Sequence, residues 1–264
     1  MATETAENYL KAIYLLGNDS ATGEAGMSRI AAAVGVTTGT ATTMVKRLAS
    51  GKFVKYERFG GVRLTAKGTQ AALDILRRHR LVETFLVRTL GLDWSEVHDE
   101  AERLEHAISA RVIEALDRHL GRPAFDPHGD PIPGADGVLA ERNIVPLATC
   151  RTGQSLMLAQ VLDQREETLR YLHRHGLGVG TNLAVLSVEP GAGVITVRNE
   201  QRESVALSEA AALRILMQPV KRPVSARRER ASKDQATRRR RARGRAGERA
   251  GVQTADRGPS EPRA

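Results

Sequence analysis

Apolar residues recur at helical spacing over residues 5–16, where Ala6, Tyr9, Leu10, Ile13, Tyr14 and Leu16 share one stripe before Gly17-Asn18-Asp19-Ser20 interrupts it. The pattern predicts an amphipathic helix. Residues 27–34 read as a short helix, residues 35–39 (Gly-Val-Thr-Thr-Gly) as a turn, and residues 40–48 as a second helix, which is the spacing of a helix-turn-helix. Residues 55–59 and 62–65 flank Gly60-Gly61 and predict strand, tight turn, strand, so the helix-turn-helix carries a wing. Two long helical stretches follow, over residues 67–90 and 95–120, separated by Gly91-Leu92-Asp93. The Pro- and Gly-rich run at residues 126–134 fits neither helix nor central strand. Short strands are predicted at 156–162, 183–188, 194–198 and 204–207, with one helix at 166–175.

These elements predict a mainly α chain in four parts. Residues 1–68 form a winged helix-turn-helix, 69–140 a helical domain, 141–220 a small β-barrel-like domain, and 221–264 a disordered basic tail without large apolar residues to bury. No apolar run approaches the ~20 residues of a membrane span, so a soluble cytoplasmic protein without a membrane partner is expected.

Charge sharpens the picture once it is partitioned. The net charge of the 264 residues is +9, but the tail alone holds 15 basic against 5 acidic residues, leaving −1 for the rest. Within that remainder, residues 27–68 carry eight basic side chains and one acid, whereas residues 69–140 carry thirteen acids and eight bases. The first block suits a polyanion and the second a cation. Arg29, Thr37, Thr38, Thr40, Thr42, Thr43, Lys46, Arg47, Arg58 and Arg63 are the candidate DNA contacts. The threonines can meet base edges or thymine methyls, and the long cations can meet phosphates. Arg-rich segments of the tail, residues 238–241 among them, would add nonspecific phosphate contacts.

The acidic block concentrates its chemistry on two helices. Glu102, Glu105 and His106 fall at positions that share a helix face, and two acids with an imidazole crowded there favour a cation among them. His79 and Glu83 lie one turn apart on the preceding helix. The single cysteine, Cys150, excludes a disulfide framework or a multi-thiolate site and reads as a structural thiol. His173 and His175 are expected to face solvent, and His119 and His128 have no evident partners. A carboxylate and histidine di-metal enzyme is a rival reading. Against it, such sites use a Glu-x-x-His on each of two helices, and Arg103 stands three residues before His106. A metal-independent chromatin-type binder driven by the tail is a second rival.

Residues 7–14 (Glu-Asn-Tyr-Leu-Lys-Ala-Ile-Tyr), the winged helix, residues 78–81, residues 97–106 and the run Asp130-Pro131-Ile132-Pro133-Gly134 together resemble the diphtheria toxin repressor family of metal-dependent transcriptional regulators, over residues 4 to about 218. The resemblance implies a homodimer that binds a double-stranded DNA operator, with a helical dimerisation and metal-binding domain and a C-terminal SH3-like (FeoA-like) domain. It places the primary metal site on Asn8, Glu102, Glu105 and His106, and an ancillary site on His79, Glu83 and His98, with Glu166 and Glu167 as candidate donors from the third domain. Oxygen donors at Asn8 and Glu102, where iron-responsive members carry sulfur, favour Mn²⁺ and the manganese transport regulator-like branch, with Fe²⁺ as the alternative. Lys11, where some members of that branch carry a carboxylate, cannot ligate while protonated. No catalytic residue is expected.

Overall fold

The computed structural model describes residues 3–57 and 60–219. Arg58 and the basic tail lie outside the described residues. The chain starts with α1 (Glu4–Asn18), α2 (Met27–Ala33) and α3 (Thr38–Ser50), followed by a two-stranded antiparallel hairpin of β1 (Val54–Tyr56) and β2 (Val62–Leu64). The starts of α1 and α3 follow from side-chain caps: Thr3 Oγ1 accepts from the Ala6 amide and Thr37 Oγ1 from the Thr40 amide. The stripe Tyr9, Leu10 and Ile13 packs with Ile30, Val45, Leu48, Val54 and Val62 in one buried cluster. The helix-turn-helix and wing are therefore built around α1 as a single core.

The long helix α4 (Ala66–Arg88) starts at the Thr65 cap and runs from that first core into a second one. Ala72 packs with the reader core, whereas Leu81, Val82 and Leu86 pack with Val97, Ala101, Ile113 and Ile132. Gly68 in its first turn lies so close to the Phe53 carbonyl that a Cβ would stand 1.9 Å from that oxygen. Where one helix was expected over residues 95–120, there are two: α5 (Val97–Glu105) and α6 (Ala110–His119). The break comes at residues 106–109, where the Ser109 hydroxyl accepts from the Val112 amide and starts a new helix. Apolar periodicity continues across the break, which hid it from the hydrophobic pattern.

The last part contains β3 (Val145–Pro146), β4 (Ser155–Val161), α7 (Glu166–Arg174), β5 (Asn182–Glu189), β6 (Val194–Arg198), β7 (Ser204–Ser208), α8 (Glu209–Ala212) and β8 (Ile215–Pro219). The strands form an antiparallel sheet in the order β3-β8-β4-β5-β6-β7. Their inward side chains, with Leu169, Leu172 and Leu177, make a third core that also takes in Trp94. Helix outweighs strand, 43% against 19%, but the strands concentrate in this C-terminal third, so "mainly α" describes only the parts before it. Among the described residues, no helix is long and apolar enough to cross a membrane.

The Pro-rich run at residues 126–134 connects the second core to this sheet. The Val161 amide donates to the His128 carbonyl, and Arg142 donates to both the Ala159 and Gly129 carbonyls while lying over the Phe125 ring. Gly129 has φ +88°, and a Cβ there would stand 2.1 Å from the Ala159 oxygen. Only glycine permits this approach without displacing β4.

Candidate metal centre and nucleic-acid interface

The polar face of α1 meets α5 across a small ionic cluster. His106, at the C-cap of α5, points Nε2 at Asn8 Oδ1 and Nδ1 at Glu7 Oε2, each 2.8 Å away. Glu105, fully buried, has its Oε1 2.8 Å from the Lys11 ammonium and 3.4 Å from His106 Nε2, and its Oε2 2.6 Å from His79 Nδ1. Glu102 Oε1 also accepts from Lys11, at 3.1 Å. All four expected primary residues are thus within one connected group. Glu7 and Lys11 join it as well: Lys11 lies one turn from both Glu7 and Asn8 on α1.

Glu105 passes the network on to α4. His79 Nε2 lies 3.0 Å from Glu83 Oε1 and 3.2 Å from His98 Nδ1, so the three expected ancillary residues converge. His98 is half exposed, while His79 and Glu83 are buried. A second group shares Glu83. His128 Nδ1 stands 3.7 Å from Glu83 Oε2, and the Glu83, Asp126 and His128 donors all lie within 4.8 Å of one another. His128, expected to lack a partner, is fully buried, stacks on Trp94 and has its Nε2 2.8 Å from the Trp94 carbonyl. Its Nδ1 and Asp126 Oδ2 are buried without hydrogen-bond partners. A proline-rich loop without periodicity gave no sequence signal for this convergence.

Buried like charge controls protonation here. For Asp126, burial and the neighbouring Asp130 and Glu83 push the pKa up to about 8, with His128 and Arg80 opposing. For His79 burial acts to lower the pKa, but Glu83 and Glu105 outweigh it and raise it to about 9. His128 follows the same logic and reaches about 9 through Glu83 and Asp126. Glu83 is held well below the usual carboxylate range because the three surrounding histidines outweigh its burial. Glu105 is lowered too, burial being overcome by His79 and Lys11. Protons on imidazoles and the Lys11 ammonium therefore balance the carboxylates, and the orphaned Asp126 and His128 atoms leave coordination capacity unused. Donors of this kind, carboxylate and amide oxygens with imidazole nitrogens, fit a divalent cation.

Glu166 and Glu167 do not reach this region. Both are exposed, and Glu166 pairs with Arg170 at 2.6 Å. The third part contributes Gln160 and Gln164 instead, which donate to the two Asp130 carboxylate oxygens at 2.5 and 2.6 Å. They line a cleft of about 1170 Å³ together with His79, Glu83, His98 and Glu102. Elsewhere, Cys150 is buried and free, with burial raising its pKa. His173 is exposed, as expected, whereas half-buried His175 packs on Tyr171 and pairs with Glu203. His119 meets the Phe85 ring edge-on.

At the other end of α1, the N-terminus of α3 is open to solvent. Thr37, Thr38, Thr40 and Thr43 are exposed, as are Arg29 on α2 and Lys46 and Arg47 one turn further along α3, while Thr42 is half-buried. The Thr42 and Thr43 hydroxyls donate back to the Thr38 and Gly39 carbonyls. Arg63 has partners that the sequence did not suggest. Its guanidinium donates to the Thr22 carbonyl at 2.7 Å and pairs with Glu24 at 3.2 Å, tying the wing to the loop before α2 instead of standing free.

Comparison with known proteins supports each part of this arrangement. Residues 1–62 match the model of the iron dependent repressor N-terminal DNA binding domain, residues 65–134 that of the iron dependent repressor metal binding and dimerisation domain, and residues 145–219 that of the FeoA domain. The iron-dependent repressor IdeR of Mycobacterium leprae is 30% identical over 214 residues, spanning 77% of this chain and 92% of that protein. The diphtheria toxin repressor of Corynebacterium efficiens is 30% identical over 203 residues, 73% of this chain and 87% of that protein. Among solved structures, a manganese-dependent transcriptional repressor in complex with manganese is 39% identical, with a TM-score of 0.74, covering 81% of this chain and all of that one. These relatives are repressors, not enzymes. The chain belongs to the iron-dependent repressor family, the diphtheria toxin repressor family whose motifs its sequence resembles, and is a metal-dependent transcriptional regulator.

Proposed function

We propose that this regulator represses metal-homeostasis genes by binding a DNA operator as a homodimer when Mn²⁺ is abundant. Asn8, Glu102, Glu105 and His106 are the primary ligands in this reading, and His79, Glu83 and His98 form the ancillary site, with Asp126 and His128 as a further set of donors around the shared Glu83. The observation that carries the reading is the His106 to Asn8 approach at 2.8 Å, because it joins the helix on which the DNA reader is built to the C-terminal end of α5. A divalent cation held there would supply two positive charges to donors from both sides at once. The donor set contains oxygen and imidazole but no sulfur, which favours Mn²⁺, with Fe²⁺ as the alternative.

The chain's own residues account for the rest. Tyr9, Leu10 and Ile13 bind α1 rigidly to the reader core, so any constraint on Asn8 is a constraint on α3. Thr37, Thr38, Thr40, Thr42 and Thr43 face base edges while Arg29, Lys46 and Arg47 contact phosphates. Leu104 on α5 and Val112 on α6, 39% and 47% exposed, are apolar positions suited to a partner subunit. A dimer must present its recognition helices about 34 Å apart, so fixing the reader beforehand removes an ordering cost from operator binding. Glu105→Gln and His106→Ala are expected to leave a folded dimer whose operator affinity no longer rises with Mn²⁺. A normal rise in a fluorescence-anisotropy titration of either variant refutes the primary site.

A further inference from the structure

Lys11 is the cation inside the primary cluster. Its ammonium lies 2.8 Å from Glu105 Oε1 and 3.1 Å from Glu102 Oε1, and the residue is only 8% exposed. A buried lysine held by two carboxylates is satisfied where it is, and those two carboxylates are the negative charges assigned to the metal. One wall of the pair is nevertheless open: Lys11, Glu102, His79 and His98 all line the same cleft, which offers the flexible four-carbon stem somewhere to go.

We infer that Lys11 is a tethered competitor for the divalent ion, occupying Glu102 and Glu105 until metal displaces it and thereby setting the metal concentration at which the regulator responds. The inference rests on the assignment of Glu102 and Glu105 as ligands. Its physical content is simple. Two like charges cannot share one pair of carboxylate oxygens at close range, so each metal ion bound must first break the Lys11 contacts and then tolerate an ammonium nearby. The same contacts join α1 to α5 before any metal arrives, so Lys11 also maintains the metal-free arrangement across that gap. The contest is between an intramolecular monovalent group and a diffusible divalent one, and removing the former tips it one way.

The test titrates Mn²⁺ into EDTA-stripped full-length protein without DNA and reads free Mn²⁺ by electron paramagnetic resonance. Lys11→Met keeps the stem and loses the charge, and its Mn²⁺ affinity should rise about tenfold or more over wild type. Lys11→Gln, measured in the same way, takes its place if the methionine variant does not fold. Glu105→Gln separates the two levels of the argument. If it binds Mn²⁺ as well as wild type does, the ligand assignment fails. If it loses Mn²⁺ while the Lys11 variant binds equally or more weakly than wild type, the competition alone is overturned. The wild type supplies a substitution-free readout: in ¹⁵N-lysine spectra the Lys11 ammonium, assigned by its absence in Lys11→Arg, should be a slowly exchanging resonance that disappears when diamagnetic Zn²⁺ is added. Its persistence with metal bound also overturns the competition.

Discussion

Stability of the metal-free protein should fall steeply as pH rises above neutrality, and Glu83 should be the reason. His79 and His128 are both raised from 6.5 to about 9 in the folded protein. A group whose folded pKa lies above its unfolded value stabilises fully below the unfolded value and loses that contribution as pH rises through the folded one. For each histidine the window is therefore pH 6.5 to 9. The shift in either one is equivalent to roughly 3 kcal/mol, a large part of a domain's total stability. Asp126 acts in the same direction, since the folded state keeps its proton up to about pH 8 and the unfolded chain releases it near 3.8. Glu83→Gln keeps the shape of the side chain but removes the charge that raises both histidines. The assay is urea denaturation in EDTA at pH 6, 7, 8 and 9. Wild type should lose at least about 3 kcal/mol over this range, while Glu83→Gln should start about 3 kcal/mol lower, the cost of breaking a buried ionic network, and lose less with pH, its remaining dependence coming from Asp126, which burial and Asp130 still raise, and from His79 beside Glu105. A wild-type stability that is flat from pH 6.5 to 9 would refute the reasoning.

Two further outcomes follow from the fold and the reader. Gly129→Ala forces a Cβ against the Ala159 carbonyl at a positive φ, and should cost about 2–4 kcal/mol in urea denaturation; an unchanged midpoint would show that the loop and β4 are not tightly docked. Lys46→Ala should weaken operator and nonspecific DNA alike and reduce the slope of log affinity against log salt by about 1, measured by anisotropy at several salt concentrations; loss confined to one base position would mean that Lys46 reads sequence.

Much of the architecture was legible because it depends on short-range patterns. The α1 stripe and the helix-turn-helix spacing each specify their elements locally, although α3 starts at the Thr37 cap two residues before the expected position and the first wing strand ends at Tyr56, earlier than Gly60-Gly61 suggested. The Glu102, Glu105, His106 set was legible for the same reason. What escaped was either masked by a continuing period or made by distant partners. The α5 to α6 break has its signal in Ser109, which the uninterrupted apolar positions obscured. Arg63 was read as a phosphate contact because it is a long cation beside the wing turn; its added partners, Glu24 and the Thr22 carbonyl, come from far along the chain. His128 is the clearest case: besides nearby Asp126, its environment is made by Trp94, Glu83 and the C-terminal end of β4, none of them near it in sequence. β3 was missed because it is only two residues long, and β8 because its identity comes from pairing between β3 and β4.

The backbone bond from Val161 to the His128 carbonyl makes the histidine loop, in effect, an extra rung on the C-terminal sheet. Any slip of β4 by one residue would drag Asp126 and His128 away from Glu83, even with every helix in place. Selection on that imidazole should therefore reach well into the core of the C-terminal sheet, where Leu158 and Ala159 hold the strand in step, and the third part of the chain cannot drift as an independent appendage.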